Sequence, residues 1–280
     1  MLYFVGLGLH GCEDLTLKAV RVLRKCCEIY IDVYTSIVPE FSKDILLKII
    51  GSETKIICVH RRELEDDTFV SRIIEKSRKM DIAILVPGDP FIATTHLWIR
   101  IEAERSGVKT RVIHSSSILT AAISETGLHV YKFGRSTTVV YPEDGYIPYS
   151  VYETIFENLS RGLHTFLFLD LKIDQGKVMS ISEAINVLEL LEKHLSKKII
   201  GPYTLGIALA RLGSPDSFII ADTFSSLKEK DIGPPPYSLI IPGDLHFTEE
   251  EALVVLAKAP QEAVKKWKKI VRDLKNTLSR

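Results

Sequence analysis

Asp81-Ile82-Ala83-Ile84-Leu85-Val86-Pro87-Gly88-Asp89-Pro90-Phe91-Ile92-Ala93-Thr94-Thr95-His96 is an apolar run that stops at a turn. Proline supplies no backbone donor and disfavours the helical region for the residue before it, so a strand that reaches Pro-Gly-Asp-Pro must turn there. The turn exposes one carboxylate, Asp89, and the threonines at 94 and 95 are placed to cap the following helix. An α/β protein builds a ligand crevice in this way, at the carboxyl end of a strand.

The same rhythm runs outward from that stretch. Apolar runs at 2–7, 29–33, 55–59, 82–86 and 110–113 alternate with helical periodicity near 14–26, 42–50, 66–79 and 94–106. Such βα alternation predicts a mostly parallel sheet covered on both faces. After Ser115-Ser116-Ser117 the spacing lengthens, with strand-like runs at 137–141, 165–169, 203–209, 217–221 and 238–241 and helices near 148–160, 180–194 and 248–259. The reading is an α/β chain of two α/β domains, 1–114 with the mostly parallel sheet and 115–263 with a mixed sheet, followed by a basic amphipathic helix over 264–280. In that last segment Val264, Trp267, Val271, Leu274 and Leu278 recur at helical spacing among seven Lys or Arg and one Asp, so one face packs and the other is basic. The basic face reads either as a solvated helix surface or as a rim for an acidic or RNA-bearing partner.

Bulk composition excludes several classes. With 36 basic and 36 acidic residues in 280, no global field draws the chain to nucleic acid or membrane. Cysteines at 12, 26, 27 and 58 form no C-x-x-C pair, which argues against a zinc site or a disulfide framework and for a reducing cytoplasm. No apolar run reaches the roughly 20 residues needed to span a bilayer, and the start lacks the basic segment of a signal peptide. The sequence offers no H-E-x-x-H, P-loop or G-x-S-x-G, so metal hydrolysis, kinase chemistry and serine hydrolysis have no support, and no metal is expected.

Gly6-Leu7-Gly8-Leu9-His10-Gly11 satisfies G-x-G-x-x-G after a strand, and Asp32 lies 21 residues past Gly11. On spacing alone this is a dinucleotide fingerprint with its ribose-binding acid, which would make the chain an NAD-dependent oxidoreductase. Against it stand Glu13 and Asp14, whose carboxylates would crowd a pyrophosphate. The plainer reading is a tight turn whose glycines let another group approach the backbone. Other candidates lie at strand ends: Ser115-Ser116-Ser117-Ile118, Leu169-Asp170, Ala210-Arg211-Leu212-Gly213-Ser214-Pro215, and Pro234-Pro235-Pro236-Tyr237. The serine run is also read as a domain linker with an ordinary serine N-cap, the other three as ordinary turns, and His96 as a histidine held by its neighbours rather than a base.

Leu2-Tyr3-Phe4-Val5-Gly6-Leu7-Gly8-Leu9, Pro87-Gly88-Asp89-Pro90 with Ala93-Thr94-Thr95-His96, Gly127-Leu128-His129-Val130-Tyr131-Lys132-Phe133-Gly134, Arg161-Gly162-Leu163-His164-Thr165 with Leu167-Phe168-Leu169-Asp170, Ala210-Arg211, Gly213-Ser214 and Pro235-Pro236 follow in order over residues 1 to about 262. In these blocks the chain resembles the diphthine synthases, methyltransferases of diphthamide biosynthesis with the tetrapyrrole methylase-like (class III methyltransferase) fold. The Ala-Thr-Thr-His and Gly-Leu-His blocks set it apart from related methylases. The resemblance implies a homodimer whose two α/β domains hold S-adenosylmethionine in a cleft between them and release S-adenosylhomocysteine. It implies cofactor contacts from Leu9, Asp89, Ile92, Ser117, Ile118, Leu169, Leu212 and Tyr237, the last standing where archaeal relatives often have histidine. The implied acceptor is the amine of a modified histidine on translation elongation factor 2, methylated repeatedly to diphthine, with no nucleic acid required.

Methyl transfer from a sulfonium to an amine needs a neutral nitrogen held about 3 Å from the methyl carbon, and little covalent work falls to the protein. The expectation is positioning by the cofactor-binding set with no indispensable base; His96 and Asp170 are the weak candidates for taking the proton. Repeated methylation ends in a quaternary ammonium, which favours aromatic faces, and Tyr131, Phe133 and Tyr141 are offered for this beside the plainer role of core packing. The competing readings are a methylase of the same fold acting on a tetrapyrrole or ribosomal RNA, the NAD-dependent oxidoreductase above, and a module that binds the cofactor without turnover.

Overall fold

The computed structural model describes residues 1–51, 54–143 and 145–278 and divides into two compact units, Met1–Thr120 and Ala121–Arg280. In the first unit the elements run β1 Leu2–Gly6, α1 Leu17–Leu23, β2 Glu28–Asp32, α2 Lys43–Ile50, β3 Lys55–Val59, α3 Arg61–Leu64, α4 Asp67–Ser77, β4 Ile82–Val86, α5 Leu97–Arg105 and β5 Thr110–Ile113. All strand pairs in it are parallel, in the order β3-β2-β4-β1-β5. Side chains on a strand alternate between faces, and β4 shows the result. Ile82, Ile84 and Val86 join a cluster with Val70, Ile73 and Ile99, while Ala83 and Leu85 join another with Ala19, Leu23, Leu46 and Ile50. A strand buried on both faces reads as an unbroken apolar run, which is why 82–86 carries no polar residue.

The division between units falls inside α6, Ile118–Thr126. The second unit continues with β6 Thr137–Val139, α7 Tyr149–Ser160, β7 Thr165–Leu169, β8 Leu171–Lys172, β9 Lys177–Val178, α8 Ile181–Leu195, β10 Leu205–Ala210, β11 Phe218–Thr223, α9 Phe224–Glu229, β12 Tyr237–Ile241, α10 Phe247–Val255 and α11 Gln261–Leu278. Its main sheet, in the order β11-β10-β12-β7-β6, is antiparallel except for the β6–β7 pair.

One local expectation fails. Thr94 and Thr95 do not cap α5: the Thr94 hydroxyl donates back to the Pro90 carbonyl at 2.6 Å, Thr95 pairs with the Tyr34 hydroxyl at 3.3 Å, and the helix begins after His96 without a side-chain cap. The serine run leads straight into α6, in keeping with its reading as a serine N-cap, since the Ser117 hydroxyl accepts from the Leu119 N–H, although no helix is placed over 118–126 from the periodicity.

The terminal helix packs through Val264, Trp267 and Val271, all nearly fully buried, and the Trp267 indole N–H donates to the Pro242 carbonyl at 2.8 Å. Its basic face is partly neutralised, because Lys265, Lys268 and Lys275 pair with Glu262, Glu250 and Asp244. The Leu278 side chain and residues 279–280 of the expected stripe and helix lie outside the described structure.

Candidate functional site

In the first unit β1 lies between β4 and β5, so three strand ends open side by side. Helices α1 and α2 cover one face of the sheet and α4 and α5 the other, and the chain therefore leaves β1 and β4 toward opposite faces. Such a switch point leaves a crevice at the carboxyl ends of the two strands. The two turns there are tied together: Gly88 N–H donates to the Gly8 carbonyl at 2.7 Å and Gly8 N–H to the Gly88 carbonyl at 3.2 Å. Gly8 takes a φ of 94°, a region open mainly to glycine. At Gly6 a Cβ would lie 2.6 Å from the Gly88 carbonyl oxygen and 2.7 Å from Ser115 Cβ, so only glycine lets the three strand ends converge.

Asp89 stands on this rim with its side chain 11% exposed. Its Oδ2 lies 2.8 Å from Nδ1 of the exposed His114 and accepts from the Ser115 N–H at 3.3 Å, which joins the ends of β4 and β5. Ile92 follows on the same turn, its N–H donating to the Asp89 carbonyl at 3.2 Å and its side chain exposed. Ala93 has a φ of 56°, a strained value for a residue with a Cβ, and such strain clusters at ligand sites. Ser117 is buried at the entrance to α6, where its hydroxyl accepts from the Leu119 N–H at 3.3 Å, and Ile118 opens the helix. Leu9 sits on the Gly-rich turn. The structure thus brings Leu9, Asp89, Ile92, Ser117 and Ile118 to neighbouring strand ends.

The dinucleotide reading fails on two residues. One oxygen of Asp14 accepts from the N–H groups of Leu9 at 2.8 Å and His10 at 2.7 Å, donors that a fingerprint loop directs at a pyrophosphate. The supposed ribose acid, Asp32, has a fully buried side chain that accepts from the N–H of Tyr34 and Thr35 and from the Thr35 hydroxyl, and it faces His96 Nε2 at 3.0 Å. His96 is itself completely buried, with no partner at Nδ1.

The second unit gathers its own set. Ala210 pairs with Tyr237 and Ser238 with Phe168, so the end of β7, the end of β10 and the start of β12 lie side by side at one end of the sheet. Leu169, Leu212 and Tyr237 lie there, the two leucines buried and the tyrosine hydroxyl donating to the Gly233 carbonyl. Arg211, with a φ of 52°, clamps this end through Asp216 at 2.7 Å and the carbonyls of Ile232 and Pro234. Asp170 takes the next position, its N–H bound to the Val139 carbonyl and its carboxylate accepting from the Tyr141 N–H at 3.2 Å. Of the other aromatic candidates, Tyr131 is 95% exposed and Phe133 packs on the His164 ring at 5.2 Å.

The Gly-Leu-His and Arg-Gly-Leu-His blocks converge elsewhere in this unit, on the fully buried Glu249. Oε1 accepts from His164 Nε2 at 2.9 Å and the His129 N–H at 2.8 Å; Oε2 accepts from Lys132 Nζ and from the His246 N–H at 2.8 Å. Burial alone would push this carboxyl up, but the four donors together outweigh it and hold it far below the usual carboxylate range. His164 Nδ1 accepts from the Gly243 N–H at 2.8 Å, so the ring carries its proton on Nε2 and is neutral, in keeping with burial driving its pKa down. Neither Glu249 nor Asp14 was singled out as a functional group from the sequence; only the carboxylates just after the Gly-rich turn gave a signal.

Among the described residues no group of three or more His, Cys, Asp or Glu could hold a metal, and no helix is long and apolar enough to cross a membrane. Residues 1–228 match the family of tetrapyrrole (corrin/porphyrin) methylases. The diphthine synthase of Staphylothermus marinus is 46% identical over 268 residues, covering 95% of this chain and 97% of that protein. That of Methanothermobacter thermautotrophicus is 38% identical over 266 residues, covering 95% and 99%. A crystal structure of diphthine synthase superposes with a TM-score of 0.82 at 35% identity, covering 94% of this chain and 98% of that one. Strand ends without a phosphate site, full-length likeness and shared fold lead to one conclusion: the chain belongs to the tetrapyrrole methylase family and, within it, to the diphthine synthases.

Proposed function

We propose that this chain is an S-adenosylmethionine-dependent N-methyltransferase that methylates the amine of the modified histidine on translation elongation factor 2, giving diphthine. The observation that carries the cofactor assignment is Asp14. With its carboxylate on the N–H groups of Leu9 and His10, the Gly-rich turn repels a phosphate, while a nucleoside cofactor without phosphate meets no such repulsion. The close approach at Gly6, which a Cβ would block, and the strand-end carboxylate of Asp89 provide a cradle that fits such a molecule.

When bound, S-adenosylmethionine supplies an electrophilic methyl group on a sulfonium. In this reading its contacts come from Leu9, Asp89, Ile92, Ser117, Ile118, Leu169, Leu212 and Tyr237. Asp89 accepts hydrogen bonds from it, oriented by His114 and the Ser115 N–H. The acceptor amine must arrive neutral, and its proton leaves to water or to Asp170. His96, enclosed against Asp32, braces the end of β2 rather than taking that proton. A homodimer acting in the cytoplasm completes the reading, with no nucleic acid required.

Titration calorimetry tests the cofactor assignment. S-adenosylhomocysteine is expected to bind and NAD not to, and Asp89→Ala is expected to weaken the first about ten- to a hundredfold, the scale of a hydrogen bond to a charged group. Binding of NAD, or an Asp89→Ala protein that binds S-adenosylhomocysteine as the parent does, would sink it. The acceptor is then tested by transfer of labelled methyl to elongation factor 2 against a tetrapyrrole and ribosomal RNA.

A further inference from the structure

Beyond β10 and ahead of β12 lie two segments without strand pairing, 211–217 and 231–236, at the end of the sheet where Leu212 and Tyr237 stand. Among the described residues every hydrogen bond between the two starts from Arg211: its backbone N–H donates to the Pro236 carbonyl at 3.0 Å, and Nη1 donates to the carbonyls of Ile232, at 3.2 Å, and Pro234. Within its own turn Nε donates to Asp216 Oδ2 at 2.7 Å and Nη2 to the Asp216 carbonyl at 3.1 Å. The loop closes tightly on the guanidinium, since a Cβ on Gly233 would lie 3.0 Å from Nη2 and 3.1 Å from Nη1. The carbonyls on either side of Gly233 face the cation, and the Gly233 carbonyl itself accepts from the Tyr237 hydroxyl.

We propose that Arg211 is a positioning residue for cofactor binding: its guanidinium fixes the 231–236 loop and, through the Gly233 carbonyl, the Tyr237 ring, while its own turn carries Leu212. The inference rests on the functional reading above, which counts Leu212 and Tyr237 among the cofactor's contacts. Burying a charge is costly and a buried ion pair adds little net stability, so what the side chain contributes is geometry, a planar fork that holds several acceptors at once. Arg211 is 8% exposed and keeps a strained φ of 52°, and such strain persists only where surrounding bonds over-determine it. Tyr237 is tethered at both ends, by its ladder pairing with Ala210 and by its hydroxyl, which commits its one side-chain donor and leaves the ring for the ligand.

Titration calorimetry with S-adenosylhomocysteine tests this on the parent, Arg211→Ala, Tyr237→Phe and the double variant, each checked for its fold by circular dichroism and melting temperature. Arg211→Ala is expected to weaken binding about tenfold and Tyr237→Phe about fivefold, on the scale of lost hydrogen bonds. Because both act through the Gly233 carbonyl, the double variant is expected to bind as Arg211→Ala does; an arginine that merely stabilises the fold would leave the two effects additive. Where Arg211→Ala does not fold, Asp216→Ala, which removes the exposed partner of Nε, takes its place in the cycle with an expected loss of about fivefold. Binding within about twofold of the parent in any folded single variant, or additive effects in the double variant, overturns the inference. A parent that does not bind S-adenosylhomocysteine, or an Asp89→Ala protein that binds it as the parent does, overturns the functional reading first.

Discussion

Replacing Glu249 by alanine is expected to lower the unfolding free energy by about 3–5 kcal/mol, the cost of removing one partner from a buried charged pair. The substitution strands four donors at once: Lys132, the His164 ring and the N–H groups of His129 and His246. Chemical denaturation of the two proteins measures the difference; a loss below about 1 kcal/mol would show that water replaces the carboxylate without penalty. The pH dependence carries a second signature. A carboxyl held below its ordinary 4.5 stabilises the fold above that value, and the contribution is lost as the pH falls through the region beneath it. An imidazole pushed below its ordinary 6.5 behaves likewise, contributing above 6.5 and losing that contribution as the pH drops. Melting temperatures of the parent are thus expected to fall from about pH 6.5 downward and more steeply below about 4.5, and the steeper part is expected to shrink in Glu249→Ala.

Gly6→Ala is expected to cripple methyl transfer by about a hundredfold, the scale on which displacements of about 1 Å near a site act. The added carbon meets backbone rather than a yielding side chain, with the Gly88 carbonyl oxygen at 2.6 Å and the Ser115 nitrogen at 3.1 Å. Relief requires β1 to part from the β4 or β5 end, which pulls on the Gly8–Gly88 bridge and on Ser115, the neighbour of Asp89. Overpacking of this kind also costs about 1–3 kcal/mol of stability. Gly201→Ala is the control, since a Cβ there meets nothing within 4 Å. Equal activity in the two variants would dissociate the strand-end convergence from cofactor binding.

The strand at 82–86 and its turn were legible because burial on both faces removes polar residues and because proline and glycine punctuate the end. Helix α6 was hidden, since it starts directly on a serine run, and α9 because it follows β11 without a gap. The threonine caps were a sound local guess overruled by a distant partner: Thr95 meets Tyr34, 61 residues earlier. At the Gly-rich turn the spacing of glycines and acid was indistinguishable from a dinucleotide fingerprint; what separates them is the direction in which Asp14 points. The Glu249 cluster draws on residues from 129 to 249, so its blocks were readable as a family signature while their shared partner was not. The sequence reading placed the candidate residues at strand ends, and the bonds that fix those ends to one another are the part it could not supply.

A turn that brings its own carboxylate has a bearing on how the enzyme lives among competing metabolites. Cells are crowded with free phosphate, nucleoside triphosphates and pyridine nucleotides, all of which exploit exposed amide groups at the first turn of such folds. With Asp14 seated on the amides of Leu9 and His10, that handhold is taken by the chain's own carboxylate, and a phosphate arriving there would meet a like charge.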